Sequence, residues 1–220
     1  LERPDTSDWI EQPMYDFPMH HFVDLTDGKK GLAVLVDGLK EYEVLDDDQR
    51  KMAITLFRTF EYKINPAAPQ DYSHEKGAQM LGTSTYTLAL CPHQGDWQQG
   101  EVMRKAFQFN YPLRLVQHGA VDGELGSQSS LMNISPEELV FSALKKPESG
   151  KDNVAVLRIY NPIDERIEGS IRLLKTIEQI EKLNLQEKTI KTAELIDDHS
   201  FKAALDTKEI ATFKIIYKDS

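Results

Sequence analysis

His21-Phe22-Val23-Asp24-Leu25 is followed by Thr26-Asp27-Gly28-Lys29-Lys30-Gly31 and then by Leu32-Ala33-Val34-Leu35-Val36. Two β-prone runs joined by Asp-Gly and a second glycine are a strong hairpin signal, because the turn needs residues that tolerate positive φ. Asp37-Gly38 closes the second run. Leu39-Lys40-Glu41-Tyr42-Glu43-Val44 then alternates with period two, as a half-buried strand does. This stretch sets the fold class as all-β.

Working outward, the first residues to about Phe17 read as an irregular lead-in, and Met52–Phe60 as a strand with Ile54, Leu56 and Arg58 on one face. Asn65–Gly77, with Pro66 and Pro69, reads as a long loop. Thr83–Leu90 is rich in β-branched residues and alternates, Pro92–Trp97 reads as a turn, and Ala106–Val116 as a strand broken at Pro112. Gly119–Ser130 is the best linker candidate. Beyond it, Leu139–Leu144 and Val154–Tyr160 flank a turn-rich segment as a hairpin would, and Asn161-Pro162 stops the second strand. Gly169–Leu173 and Ala211–Ile216 add alternating runs. Ser135-Pro136-Glu137-Glu138 carries helix-start residues but is read as strand. Ile177, Ile180 and Leu183 recur at helical spacing, so helix or strand stays open over 174–190. Short strands at roughly ten-residue spacing point to β-sandwich architecture.

Composition narrows function. Asp+Glu at 36 against Lys+Arg at 26 gives a charge of −10, which repels phosphate backbones and disfavours nucleic acid. A sparsely charged partner such as a sugar suits that balance better. One cysteine, Cys91, leaves no internal disulfide framework and fits a reducing compartment. No apolar run is long enough to cross a bilayer as a helix. The opening Leu1-Glu2-Arg3-Pro4-Asp5 is neither an initiator Met nor a signal peptide. The expectation is a cytoplasmic protein without membrane contact, and a piece of something longer.

The motifs give little chemistry. His20-His21-x-x-Asp24 has metal-ligand residue types, but adjacent strand residues point to opposite faces. Gly28-Lys29-Lys30-Gly31 matches an RNA-clamping Gly-x-x-Gly loop, yet strands rather than helices flank it, so a hairpin turn is the better reading. Pro92-His93-Gln94-Gly95-Asp96-Trp97 combines an aromatic face with polar groups, as sugar sites do, although a packed Trp in a turn explains it more simply. Asp46-Asp47-Asp48 reads as a solvated acidic bend rather than a calcium loop, and the sequon Asn133-Ile134-Ser135 has no consequence without secretion. Glu41 and Glu43, two apart, share a strand face; solvent-facing charge explains them as well as paired catalytic carboxylates do.

Several stretches resemble the C-terminal region of family 38 glycoside hydrolases, the α-mannosidase and mannosylglycerate hydrolase family. They are Phe17-Pro18-Met19-His20-His21-Phe22-Val23-Asp24, the run Gly31–Val44, Ile54-Thr55-Leu56-Phe57-Arg58, and Leu88-Ala89-Leu90 running into Pro92-His93-x-Gly95-Asp96-Trp97. Phe141–Lys146 and Leu157-Arg158-Ile159-Tyr160-Asn161-Pro162 extend the likeness to the second half. The resemblance implies an all-β chain: residues 1–132 as half of a large, supersandwich-like β-sandwich, and 133–220 as a smaller sandwich module. It further implies a catalytic α/β domain upstream, carrying the nucleophilic aspartate and a zinc ion, and then a helical bundle. The motifs of that domain do not occur here, so no catalytic residue, metal ligand or cofactor is assigned to this chain. The partners implied are those upstream domains and a small mannoside, with self-association left open. The residues expected nearest a substrate are His20, His21, Asp37, Gly38 and Tyr42. The expected role is a non-catalytic support that completes one wall of a sugar site. The alternatives are a free-standing carbohydrate-binding sandwich and a purely structural interaction domain.

Overall fold

The computed structural model describes residues 5–11, 15–45, 48–60, 74–120 and 122–218. Contacts divide the chain between His118 and Gly119, at the head of the polar stretch 119–130, whereas the sequence-based boundary falls between 132 and 133. No regular structure occurs at the described positions of 111–130, and every one of them is exposed.

The first unit contains β1 (Asp16–Pro18), β2 (Phe22–Thr26), β3 (Lys30–Val36), β4 (Glu41–Val44), β5 (Met52–Ile54), β6 (Leu88–Gln94) and α1 (Val102–Asn110). Two antiparallel three-stranded sheets form, in the orders β1-β4-β5 and β2-β3-β6. The opening hairpin is β2-β3, with Val23 opposite Val34. Its turn is fastened by the Asp27 carboxylate, which accepts from the Lys29 and Lys30 amides. β3 is apolar on both faces. Val34 and Val36 join Met19, Val23 and Leu39 in one cluster, against which Tyr42, Met52 and Ile54 pack. Ala33 and Leu35 join Cys91, Val102 and Ala106 in another.

Four expectations need correction here. Met52–Phe60 is strand only to Ile54. Its partner β4 starts at Glu41, whose carbonyl takes the Thr55 amide, and the next carbonyl, that of Lys40, is already used by Met19. Thr83–Leu90 becomes strand only at Leu88, opposite Val36, because β3 ends there and Gly38 turns the chain away at φ 77°. β6 then continues through Pro92 and His93 to Gln94, so the expected turn opens only at Gly95. Ala106–Val116 is not a strand: Val102–Asn110 is helical, with Val102 and Ala106 on one buried face. Pro112, taken for an interruption, marks the helix end, since the residue before proline is pushed out of helical geometry. Asn65–Ser73, Asp46 and Asp47 lie outside the described residues.

The second unit is a sandwich of two antiparallel sheets. One contains β7 (Met132–Ser135), β10 (Ile167–Leu173), β13 (Leu195–Asp197) and β14 (Ser200–Leu205), in the order β13-β14-β10-β7. The other contains β8 (Val140–Lys145), β9 (Val154–Tyr160), β11 (Ile177–Leu183), β12 (Thr189–Thr192) and β15 (Ile210–Tyr217), in the order β12-β11-β15-β9-β8. Leu157, Ile159, Ile171, Ile180, Phe201, Phe213 and Ile215 build the core, with the Phe201 and Phe213 rings 5.1 Å apart. The β8-β9 hairpin and the stop at Asn161 are as the sequence predicts. Asn161 is buried, and its side-chain amide donates to the carbonyls of Glu165 and Asp206 while its oxygen accepts from the Ile163 amide.

The open segment at 174–190 is strand. An extra residue at Glu178 bulges β11 between Ile177 and Gln179, so Ile177 and Ile180 both face the core. Leu183 is buried on the opposite face, beside Thr212. A bulge and a change of face together mimic a helical period.

Candidate functional site

β4 presents Tyr42 to the apolar cluster and turns Glu41 and Glu43 to the other side of its sheet. Antiparallel pairing sets Asp16 opposite Glu43, and Pro18 opposite Glu41. Arg58, just past β5, reaches into this face. Its guanidinium donates to Asp16 Oδ2 at 2.5 Å and to Glu41 Oε1 at 2.6 Å, and the Thr55 hydroxyl donates to the same Glu41 oxygen at 2.8 Å. Tyr15 and Phe57, both exposed, line the same depression. The hydrogen bond from Arg58 holds the Asp16 carboxyl below the usual carboxylate range, and the two acids raise the guanidinium. Asp16 is thus shifted away from the protonated form that a general acid needs at neutral pH. Acceptors, a forked donor and two ring faces suit the binding of a polyhydroxylated ligand better than bond cleavage.

The sequence-selected residues lie in several places. His20 is exposed, with its ring 6.3 Å from that of His21. His21 is half-buried against Phe107 at 5.0 Å and Tyr111 at 6.3 Å, on and just past α1. Burial lowers its imidazole pKa, and His20 and Lys40 lower it further. Asp37 and Gly38 form the exposed turn after β3. The Tyr42 ring stands 6.0 Å from that of Phe17, and burial raises its phenol. Glu41 and Glu43 do share a face, as their spacing requires.

A second polar arrangement escaped the sequence reading. His93 Nε2 donates to Asp24 Oδ1 at 2.7 Å, with side chains only 1% and 7% exposed. His93 on β6 lies beside Gly31 on β3, which pairs with Thr26 on β2. With no side chain at Gly31, the imidazole crosses the central strand to the aspartate. A methyl group at Gly31 would stand 2.6 Å from Nε2, and one at Gly100 2.6 Å from Cγ. The ring is therefore clamped between two glycines. Thr26 Oγ1 donates to the Gly95 carbonyl at 2.7 Å, tying the turn after β6 to the hairpin. Trp97 in that turn packs near Phe22, at 6.3 Å between rings. Asp24 is thereby engaged with His93 rather than with His20 or His21. Among the described residues no three His, Cys, Asp or Glu side chains converge as a metal site requires.

With this geometry in place, comparison with known proteins locates the chain. Residues 138–213 match the model of the glycosyl hydrolases family 38 C-terminal β-sandwich domain. The matched residues all lie within the second unit. A protein of Halalkalibacterium halodurans named "Putative mannosylglycerate hydrolase" is 28% identical over 84% of this chain and 21% of its own length. Alpha-mannosidase 2C1 of Mus musculus is 22% identical over 98% of this chain and 19% of its own. The crystal structure of an α-mannosidase from Enterococcus faecalis V583 shares the fold, with a TM-score of 0.67, 21% identity, and coverage of 94% of this chain and 22% of that one. The chain spans about a fifth of the length of the relatives it matches, and it matches the C-terminal region of family 38 proteins. In these relatives the region is one part of a larger polypeptide with neighbouring domains.

Proposed function

We propose that this chain is the non-catalytic C-terminal portion of an α-mannosidase-type glycoside hydrolase, supporting an upstream catalytic domain and bordering its sugar site. The observation that carries the reading is the near end-to-end likeness to a fifth of much longer proteins, two of which bear mannoside-hydrolase names. The zinc ion implied by the family resemblance is assigned to the upstream domain. The residues here do not fit it, because the one His/Asp-rich motif has its aspartate bound to buried His93. A cytoplasmic setting is proposed with it, in keeping with the free, buried Cys91. Removing residues 1–220 from the longer protein tests this: α-mannoside turnover should collapse, and full activity in the truncated protein would overturn the role.

The Arg58 depression favours one second reading, a carbohydrate-binding module that works alone. Titrating mannose and mannosylglycerate into the isolated chain separates the two. Saturable heat with the wild-type chain, lost in Arg58→Ala, supports the module; no binding supports the wall of a composite site.

A further inference from the structure

The sheet β2-β3-β6 has an unfinished side. Gly95 N donates to the Lys29 carbonyl and Asp37 N to that of Thr87, which marks hydrogen-bonded pairs at both ends of the β3-β6 ladder. Antiparallel ladders alternate, so 31–93, 33–91 and 35–89 are also hydrogen-bonded pairs. Leu88, Leu90 and Pro92 therefore turn their backbone groups away from β3. Proline is accepted within β6 because its missing N–H lies on that outer side. Among the described residues no strand but β3 pairs with β6.

The side chains of the same positions are also uncovered. Leu32, Leu88 and Leu90 share the face of Val34 and Val36, and they are 39%, 41% and 72% exposed while Val36 is fully buried. The strand Leu-Ala-Leu-Cys-Pro-His-Gln has no Lys, Arg, Asp or Glu. Free edges in stable proteins are ordinarily blunted by charge, proline, bulges or cover. Pro92 blunts the far end of this edge, but Leu88–Cys91 is an apolar stretch with no such device, beside an apolar face, and is open to pairing.

We propose that the outer edge of β6, with Leu32, Leu88 and Leu90, receives a β-strand from a segment of the same longer polypeptide lying outside residues 1–220. The inference rests on the reading above that the chain is part of such a protein. Its occupant is chosen because the relatives have about four times as much chain beyond the matched region as within it. The cover is an apolar strand, continuing the sheet past Leu88 and Leu90 and ending where Pro92 offers no donor.

Amide hydrogen exchange resolved to single residues tests this without any substitution. In the longer protein, Leu88 and Leu90 amides should exchange at least about 100-fold more slowly than in the isolated chain, as paired strands do. Fast exchange in both overturns the proposal. Equal protection in the isolated chain also overturns it: together with a dimer in light scattering, it assigns the edge to a second copy. Leu90→Lys in the longer protein should remove the protection, and retained protection would contradict the site. A longer protein that lacks mannosidase activity yet protects these amides would remove the functional reading and leave the docking edge standing.

Discussion

Asp24 and His93 are 69 residues apart, and each stands in a motif that the sequence made conspicuous for another reason. Their pairing was hidden because only sheet register brings them together, and the one local clue was Gly31, needed where a ring crosses the central strand. Replacing Asp24 by Ala leaves a buried imidazole donor unsatisfied and should cost about 1–3 kcal/mol in urea unfolding. His21 gives a pH prediction. Its pKa in the fold lies below the ordinary 6.5, chiefly through burial, with His20 and Lys40 adding to the shift and the Asn110 side chain opposing it. The unfolded chain thus binds the proton more readily. This contribution to stability is complete above about pH 6.5 and declines as pH falls below it. His21→Gln should flatten that part of the stability curve, and an unchanged slope between pH 7 and 5.5 would contradict the assignment. For the five residues picked for a substrate, the facing of each side chain was not legible in the sequence. Tyr42 and Glu41 adjoin in sequence and part to opposite sides of the sheet.

At the level of elements, hairpins were the readable part, since turn chemistry and alternation are local. β2-β3 and β8-β9 are as the sequence predicts. Elements whose extent depends on a neighbour were not readable. β5 stops because β4 is short, and β6 starts only where β3 gives it a partner. The helix α1 was missed because the window taken for a strand began halfway along it. β11 is the most instructive case, because a bulge turned a strand's alternation into helix-like spacing. That account makes Ile180 a core residue and Glu178 an exposed one. Ile180→Ala should lower stability by about 2–5 kcal/mol, whereas Glu178→Ala should stay within about 0.5 kcal/mol. Equal losses in thermal or urea unfolding would mean that the bulge is misplaced.

Across the whole molecule, the two units differ in how fully they enclose their apolar surface. The second closes one core between two sheets, with Leu157, Ile159, Ile171, Phe201 and Ile215 fully buried. The first divides its burial between two small clusters and leaves Leu88 and Leu90 in water. Residues 119–220 expressed alone should therefore unfold in a single cooperative transition, with the Phe201 and Phe213 environment retained in near-ultraviolet dichroism. A broad, non-cooperative melt would contradict that independence. The all-β class could be read from alternation and turn spacing. The incompleteness of the first unit could not, because it shows only when register reveals which leucines share a face.

On the proposed function, the reaction's machinery belongs to polypeptide outside these 220 residues. Incubating the purified chain with a chromogenic α-mannoside, at concentrations where the longer protein turns over readily, tests it most directly. Colour should appear no faster than in buffer, with or without added zinc. Steady release that scales with the amount of this chain and survives repurification would contradict it.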